Sequence, residues 1–517
     1  MQLTHKIRSN ILKIALFATG LSGIVAEYIL STLATYFLGN SVFQWTMIVS
    51  IMLFSMGLGS RISKYFERNL LQKFITIEFF LSILAAYVSL LTYTTSAFGI
   101  YTGLVIYGLS IIIGLLIGME IPLVIRLNDA FEELRINVSS ILEKDYYGSL
   151  LGGVFFAFVG LPYLGLTYTP FILGTINFLV ALLLFFMLWK HIETNVKRKF
   201  TAFACAITLA LLGGVIVSKP LISFGEERRY TDRVVYTEQS KYQKIVLTRN
   251  KNDYWLFING NQQLSTVDEE MYHEPLVLPL MSLHRYPKNI LVLGGGDGCA
   301  VREILKYPSV EEVVLVDLDP AMTDLGKTHP VLLELNEGVL NDSLVQVINE
   351  DAFSFMERSK QYFDVIIIDL PDPKTVELGR LYSFEFYKLC YKQLRPDGLI
   401  ITQATSPYYA SRAFKCIEIS MQEAGFSTVP MHNQVLTLGE WGWIAGSKAL
   451  SAEAFKRALQ SLHFDEIETK WLNHDAMTLM TSFGKDVFLD AGTEVEVNKI
   501  HNPVLYQYYR KGKWELY

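Results

Sequence analysis

Charge is scarce in this chain. Asp, Glu, Lys and Arg make up 19% of its 517 residues, below the roughly 25% usual for soluble proteins. Cysteine is scarcer still, with four residues at 205, 299, 390 and 416. None stands in a CxxC spacing or beside a His/Cys cluster, which excludes a disulfide framework and a structural zinc site. A basic excess is also missing, since the formal net charge is −6. The shortage of charge is confined to one part. Residues 1–220 hold 15 Lys+Arg and 10 Asp+Glu, while residues 221–517 hold 30 and 41, giving charge densities of 11% and 24%. The net charges are +5 and −11, so the charge-rich part has no basic footprint for nucleic acid. The length allows two to four domains of roughly 100–200 residues. A wholly soluble enzyme and a disordered chain are both excluded.

What the first part has instead is apolar length. A bilayer core ~30 Å thick needs about 20 apolar residues in a helix, and seven such windows occur, at 14–38, 42–59, 74–94, 99–125, 146–166, 170–189 and 200–218. A signal peptide would be one short run with a cleavage site, not the first of seven. An integral protein of the cell (inner) membrane is expected. Basic loops stay cytoplasmic. Arg61, Lys64, Arg68 and Lys73 lie between spans 2 and 3, and Arg126, Arg135 and Lys144 between 4 and 5, while the loops after spans 1, 3 and 5 carry none. That count starts the chain in the cytoplasm and, with an odd number of crossings, puts the remainder outside. Glu27 falls mid-span, whereas Glu120, before Pro122, and Asp145 read as interfacial. An acid at membrane depth marks a polar cavity or an ion path, or a neutral carboxyl bonded between helices. Gly148, Ser149, Gly152 and Gly153 suit close helix packing.

After Lys219 the pattern becomes short alternating strands, 233–238, 243–249 and 254–258, with an Asn259-Gly260 hairpin signal. From Asn289 continuous apolar strands alternate with helical stretches, as in a doubly wound parallel sheet. The strands expected are 289–293, 312–316, 344–348, 364–368 and 398–402. Ligands of such sheets bind at the strands' carboxyl ends near the switch point of the topology. The first strand runs into Gly294-Gly295-Gly296-Asp297-Gly298, and the second ends at Asp317, where an acid meets ribose hydroxyls. Asp297 would repel a pyrophosphate and suits a cationic nucleoside, such as an S-adenosyl sulfonium compound. Asp351 follows the third strand, either to meet an adenine amino group or to cap the helix from Ala352. The fourth strand ends in Asp369-Leu370-Pro371-Asp372-Pro373. Two carboxylates in a stiff turn suit binding and deprotonating an alkyl ammonium, which must lose a proton before its nitrogen can attack carbon.

Residues 230–447 resemble the spermidine synthases, or polyamine aminopropyltransferases, through Gly294–Gly298, Asp317, Asp351, Asp369–Pro373, the run Tyr382-Ser383-Phe384-Glu385-Phe386-Tyr387, and Tyr272-His273-Glu274. The apolar first part resembles the membrane-fused members. The resemblance implies that Gln243, Asp317 and Asp351 hold the nucleoside of decarboxylated S-adenosylmethionine and Asp297 its aminopropyl ammonium. It implies that Tyr272, His273 and Asp372 hold the amine acceptor, and that Asp369 is the base. No metal and no permanently bound cofactor enter this scheme. The partners implied are a small amine, a sulfonium nucleoside and the lipid bilayer, and a homodimer is left open. Some positions depart from the pattern. Asp317 stands for the usual Glu, Ala352 for Gly, and Leu370-Pro371 for two small residues. The segment 431–443 lacks the tyrosine that the family sets against the amine.

The expected architecture is therefore a polytopic α-helical membrane domain of about seven helices (1–220), a small antiparallel β unit (225–285) and an α/β Rossmann-like domain of the S-adenosylmethionine-dependent transferase type with a C-terminal extension (286–517). The expected activity is transfer of an aminopropyl group to an amine such as putrescine, releasing methylthioadenosine. Two alternatives share the same residues: an S-adenosylmethionine-dependent methyltransferase, and a transporter or sensor with a polyamine- or nucleoside-binding soluble domain. Because sulfonium nucleosides are made in the cytoplasm, the soluble domain is expected there despite the loop charges, which requires one apparent span, such as 146–166, not to cross fully.

Overall fold

The computed structural model describes residues 5–39, 41–98, 101–129, 132–187, 189, 192, 194–228, 230–485 and 494–514. The chain forms two compact units, Met1–Val234 and Val235–Tyr517.

The first unit is helical: α1 (His5–Leu38), α2 (Ser41–Ser63), α3 (Leu70–Ala97), α4 (Thr102–Asn128), α5 (Leu134–Phe155), α6 (Gly165–Met187) and α7 (Thr194–Glu227). A π-helical stretch, Phe156–Leu164, joins α5 to α6. Among the described residues six helices are long and apolar enough to cross a membrane, against seven windows expected from sequence. The difference lies in Leu134–Met187, which counts as one helical stretch of 54 residues. Gly165 breaks that stretch at φ 61°, ψ −171°, and the arms on either side both pack on α1, through Gly148 at Phe17 and Asn177 at Ser22, so α5 and α6 are two segments and not one rod.

Helices pack backbone to backbone here through glycine. A Cβ on Gly148 would lie 2.0 Å from the Phe17 carbonyl oxygen, and one on Gly152 2.5 Å from that of Leu21, so α5 lies directly on α1. Gly59 and Gly118 do the same for α2 and α4, at 2.1 Å from Leu115 O and Met56 O. Such close approach is what substitutes for a hydrophobic driving force between helices in lipid. Glu27 is buried, as its position suggested. Glu120 corrects the expectation of an interfacial acid, because its side chain is wholly buried, as is that of Glu78 on α3. Asp145 is half-buried, with its carboxylate against Gly20 of α1.

The second unit opens with a four-stranded antiparallel sheet: β1 (Arg233–Gln239), β2 (Lys244–Asn250), β3 (Asp253–Ile258) and β4 (Asn261–Ser265). Asn259 and Gly260 make the β3–β4 turn with φ of 51° and 78°, the positive values that an Asn-Gly hairpin turn requires. Then follow α8 (Glu270–Leu283), β5 (Asn289–Gly294), α9 (Cys299–Leu305), β6 (Glu312–Asp317), α10 (Pro320–Thr328), α11 (Pro330–Leu335), β7 (Val345–Asn349), α12 (Ala352–Arg358), β8 (Phe363–Asp369), α13 (Val376–Gly379), α14 (Phe384–Gln393), β9 (Leu394–Gln403) and α15 (Ser411–Ala424). The chain closes with β10 (Ser427–Val435), β11 (Gly439–Ser447), α16 (Ala452–Gln460), α17 (His474–Met480) and α18 (Leu505–Arg510).

The large sheet has the order β10-β11-β9-β8-β5-β6-β7. Strands β5 to β9 pair in parallel, while β10 and β11 add an antiparallel edge. Residues such as Leu291, Val292, Val314, Leu315, Ile366 and Ile367 are fully buried because helices cover both faces, each contributing about 1.5–3 kcal/mol. Helix α8 shares the core of β5 and β6 through Leu276, Val277 and Leu280. The chain runs outward in both directions from β5, with β6 on one side and β8 on the other. This is the switch point, and the acids of interest end these strands.

Candidate active site

Glycine brings three strand ends together. Gly294 ends β5 at φ 86°, and a Cβ there would sit 2.0 Å from the Asp369 carbonyl oxygen. The Gly295 N–H donates to that same oxygen at 3.1 Å. A Cβ on Gly296 would lie 2.8 Å from Asp317 Oδ2. The glycine loop is thus seated between the acids that end β8 and β6, where no side chain fits.

Asp297, Asp369 and His273 form the centre. His273 Nε2 lies 3.9 Å from Asp297 Oδ1 and 4.0 Å from Asp369 Oδ2. Its Nδ1 is 2.7 Å from Oε2 of Glu269, the residue that precedes α8. Burial by itself would make the imidazole lose its proton, but the Glu269 carboxylate outweighs this and lifts the pKa to about 9. Glu269 is buried too, yet His273 and Arg302 hold it down to about 2. Arg302 donates to it through Nη1 at 2.7 Å and Nη2 at 3.1 Å. Burial raises Asp369 to about 6, against the opposing charge of His273. Tyr272 donates its hydroxyl to Asp369 Oδ1 at 2.7 Å. Asp297 Oδ1 also accepts the Cys299 N–H at 2.8 Å. Ligand atoms of His273, Asp297 and Asp369 all lie within 4.8 Å of one another, but an imidazolium offers a proton and no lone pair, which suits these atoms less to a metal than to an ammonium between two carboxylates.

The other expected residues fall around this centre. Asp317 ends β6 with Oδ1 accepting the Asp319 N–H at 2.8 Å, and burial moves it up to about 6. Gln243 lies in the β1–β2 turn, which is tied to the same loop by Ser240 Oγ donating to Asp319 at 2.7 Å. Asp351 caps α12, its Oδ1 accepting the Ser354 N–H at 3.0 Å, while its other oxygen pairs with Arg380. Of the two readings open for Asp351, the cap is the contact formed. Asp372 accepts the Tyr509 hydroxyl at 2.7 Å on Oδ2, and its Oδ1 is buried without a partner. Burial raises its pKa, with Lys374 opposing.

Several supporting residues carry no motif. The backbone between the paired acids is held by the Tyr382 hydroxyl, 3.1 and 3.0 Å from the Leu370 and Pro371 carbonyls, and by Gln403 Nε2, 2.8 Å from Leu370 O. Trp443 on β11 packs its ring 5.5 Å from that of Tyr272, in the segment where the expected tyrosine is missing. Its buried indole N–H has no acceptor. The Glu269–Arg302 pair announces itself only as an acid before a helix and a base within one. Tyr509 lies in the C-terminal extension with no sequence signal at all.

A parallel sheet with a glycine loop at its switch point and two carboxylates converging there is the frame of a nucleoside-binding enzyme whose ligand is cationic. The model of the spermine/spermidine synthase domain matches residues 269–457. The polyamine aminopropyltransferase 2 of Aquifex aeolicus is 41% identical over 510 residues, covering 97% of this chain and 99% of that protein. The polyamine aminopropyltransferase of Oceanobacillus iheyensis is 37% identical, covering 96% of each. A spermidine synthase solved in complex with the transition-state analogue AdoDATO is 28% identical, with a TM-score of 0.46 over 51% of this chain and 89% of its own. The chain belongs to the spermine/spermidine synthase family. Its match to the relatives extends through the helical first unit as well as the catalytic one.

Proposed function

We propose that this polyamine aminopropyltransferase joins the aminopropyl group of decarboxylated S-adenosylmethionine to an amine such as putrescine. The observation that carries the reading is the convergence of Asp297 and Asp369 on one imidazolium at the switch point, beside the Asp317 nucleoside loop. The amine nitrogen attacks the aminopropyl carbon next to the sulfonium. The C–S bond breaks with its electron pair going to sulfur, which leaves as the neutral thioether of methylthioadenosine. The proton shed by the attacking ammonium goes to Asp369, which at a pKa of about 6 is ionised at neutral pH and still basic enough to accept it.

In this scheme Gln243 and Asp317 hold the nucleoside, Asp351 meets the adenine at the head of α12, and Asp297 holds the aminopropyl ammonium. Tyr272, His273 and Asp372 line the acceptor side, and His273, held as a cation, also keeps Asp369 charged. Residues 1–220 form the membrane anchor, 225–285 the small β domain and 286–517 the transferase domain, with the transferase on the cytoplasmic side where sulfonium nucleosides are made. A reporter fused after Lys219 tests the last point, because an exported reporter that is active there places the domain outside.

Purified chain offered both S-adenosylmethionine and its decarboxylated form with a panel of amines tests the activity. Methylthioadenosine is expected from the decarboxylated form, whereas adenosylhomocysteine would establish a methyltransferase.

A further inference from the structure

The helical unit contains buried carboxylates that an anchor does not need. Glu78 on α3 and Glu120 on α4 are both wholly buried. Glu120 feels the like charges of both Glu78 and Asp145, and Thr19 of α1 bonds Glu78. Thr19 Oγ1 lies 3.0 Å from Glu78 Oε1 and 3.0 Å from the Ala15 carbonyl. One hydroxyl proton therefore serves two acceptors. Glu78 Oε2 and both oxygens of Glu120 are buried with no hydrogen-bond partner. Among the described residues no Lys or Arg forms an ion pair with Glu78 or Glu120, while Lys13 pairs with Glu132 at 2.6 Å. Of the other basic residues near the ends of these helices, Arg126 donates to the Ser63 and Phe66 carbonyls at 2.7 and 2.9 Å, and Lys73 lies over the Phe66 ring at 4.2 Å.

The same interior continues as a polar path. One turn along α3 from Glu78, the buried Ser82 hydroxyl also lacks a partner. Three residues along α1 from Thr19, Ser22 bonds Asn177 of α6 at 2.7 Å. Glu27 follows on α1, eight residues or about 12 Å from Thr19. Isolated acids in hydrocarbon are costly, and a bundle retains them where they meet a ligand.

The carboxylates lack donors and positive charge, and a primary ammonium supplies three of the first and one of the second. A divalent metal fits less well. Among the described residues of this unit no three Asp, Glu, His or Cys ligand atoms come together, and such ions take six or more oxygens. Ile75, Phe79 and Ile117, on the same helices as the acids, are buried, and apolar neighbours suit methylene chains.

We propose that the helical unit holds a second amine site, in which Glu78 and Glu120 bind an ammonium end of a linear polyamine within the bundle. The site lies outside the transferase crevice, and it rests on the reading that the first unit spans a bilayer and that the chain handles polyamines.

Equilibrium binding of tritiated spermidine to the full-length chain in lipid nanodiscs tests it. Asp372→Asn, which weakens the amine side of the crevice, is expected to retain one spermidine per chain. Adding Glu120→Gln or Glu78→Gln to Asp372→Asn should abolish that binding, while either substitution made alone leaves aminopropyl transfer within about twofold. Glu120→Asp, which keeps the charge, should restore binding and guards against a misfolded amide variant. Binding that disappears wholly with Asp372→Asn, or survives both Gln substitutions, overturns the inference. If no amine is aminopropylated yet the Glu120-dependent binding is present, the transferase reading fails and the bundle site stands.

Discussion

Glu269 and Glu120 are both buried carboxylates, and the two units treat them in opposite ways. In the catalytic unit Glu269 receives the imidazolium of His273 and both terminal nitrogens of Arg302, and it stays ionised to about pH 2. In the helical unit neither oxygen of Glu120 receives a hydrogen bond. A paired buried acid is finished structure, whose work is to fix the charge of the group beside it. An unpaired one lacks such a partner, and a bound cation that supplies one would recover the cost of its burial. The catalytic unit contains both kinds, since Asp372 Oδ1 is also buried without a partner. In each unit the unsatisfied acids sit where an ammonium is proposed to go.

The sharpest test of this division is the acid proposed to react. Asp369→Asn keeps the shape and removes the base, so kcat should fall by ~10² to 10⁴ while calorimetry shows methylthioadenosine binding nearly unchanged. Turnover at the parent rate would reassign the base.

Glu269→Gln breaks the finished pair instead. Leaving Arg302 and His273 buried without their carboxylate should cost about 3–5 kcal/mol, read as a lower unfolding midpoint by tryptophan fluorescence. It also releases His273, so Asp369 loses its counter-charge and the acidic limb of kcat/KM, expected near pH 6 in the parent, should move to higher pH. The sign for stability runs the other way with alkali. His273 has a raised folded-state pKa, so its contribution is complete below about pH 6.5 and is lost as the pH rises through about 9. Unfolding midpoints that stay level between pH 7 and 10 in the parent would show His273 neutral.

A smaller effect is expected at Asp297, which is proposed to choose between two sulfonium ligands. S-adenosylmethionine carries an α-carboxylate that its decarboxylated form lacks. Repulsion between like charges a few ångströms apart at an effective dielectric near 20 is on the order of a few kcal/mol, a preference of about 10². Asp297→Asn should narrow it from both sides in calorimetric titrations. Tighter binding of S-adenosylmethionine by the parent would favour a methyltransferase.

The smallest effect separates the two readings of Asp351. As a helix cap, Asp351→Ala should cost about 1 kcal/mol of stability. As an adenine ligand it should also raise KM for the sulfonium nucleoside. A changed midpoint with an unchanged KM would leave the cap alone.

The amino-acid sequence determined the elements and most of the acids, because both are local properties. Buried parallel strands read as apolar runs whatever surrounds them, and all five expected strands lie within a residue or a few of those observed. Gly294–Gly298, Asp317 and Asp369 are legible because each directly follows such a run. The β10–β11 hairpin was less so, since its strands at 427–435 and 439–447 mix polar and apolar residues at an antiparallel edge. Tertiary structure alone decided what satisfies each charge. Arg302 reaches Glu269 across 33 residues, and Tyr509 reaches Asp372 across 137. The convergence of Thr19, Glu78 and Glu120 depends on how three helices are rotated against one another. Hydropathy reports whether each helix is apolar enough for lipid, and it is blind to that rotation. A single polar residue on an otherwise apolar helix reads the same whether it faces lipid headgroups or another carboxylate, and only packing through glycines such as Gly20 and Gly148 selects the face.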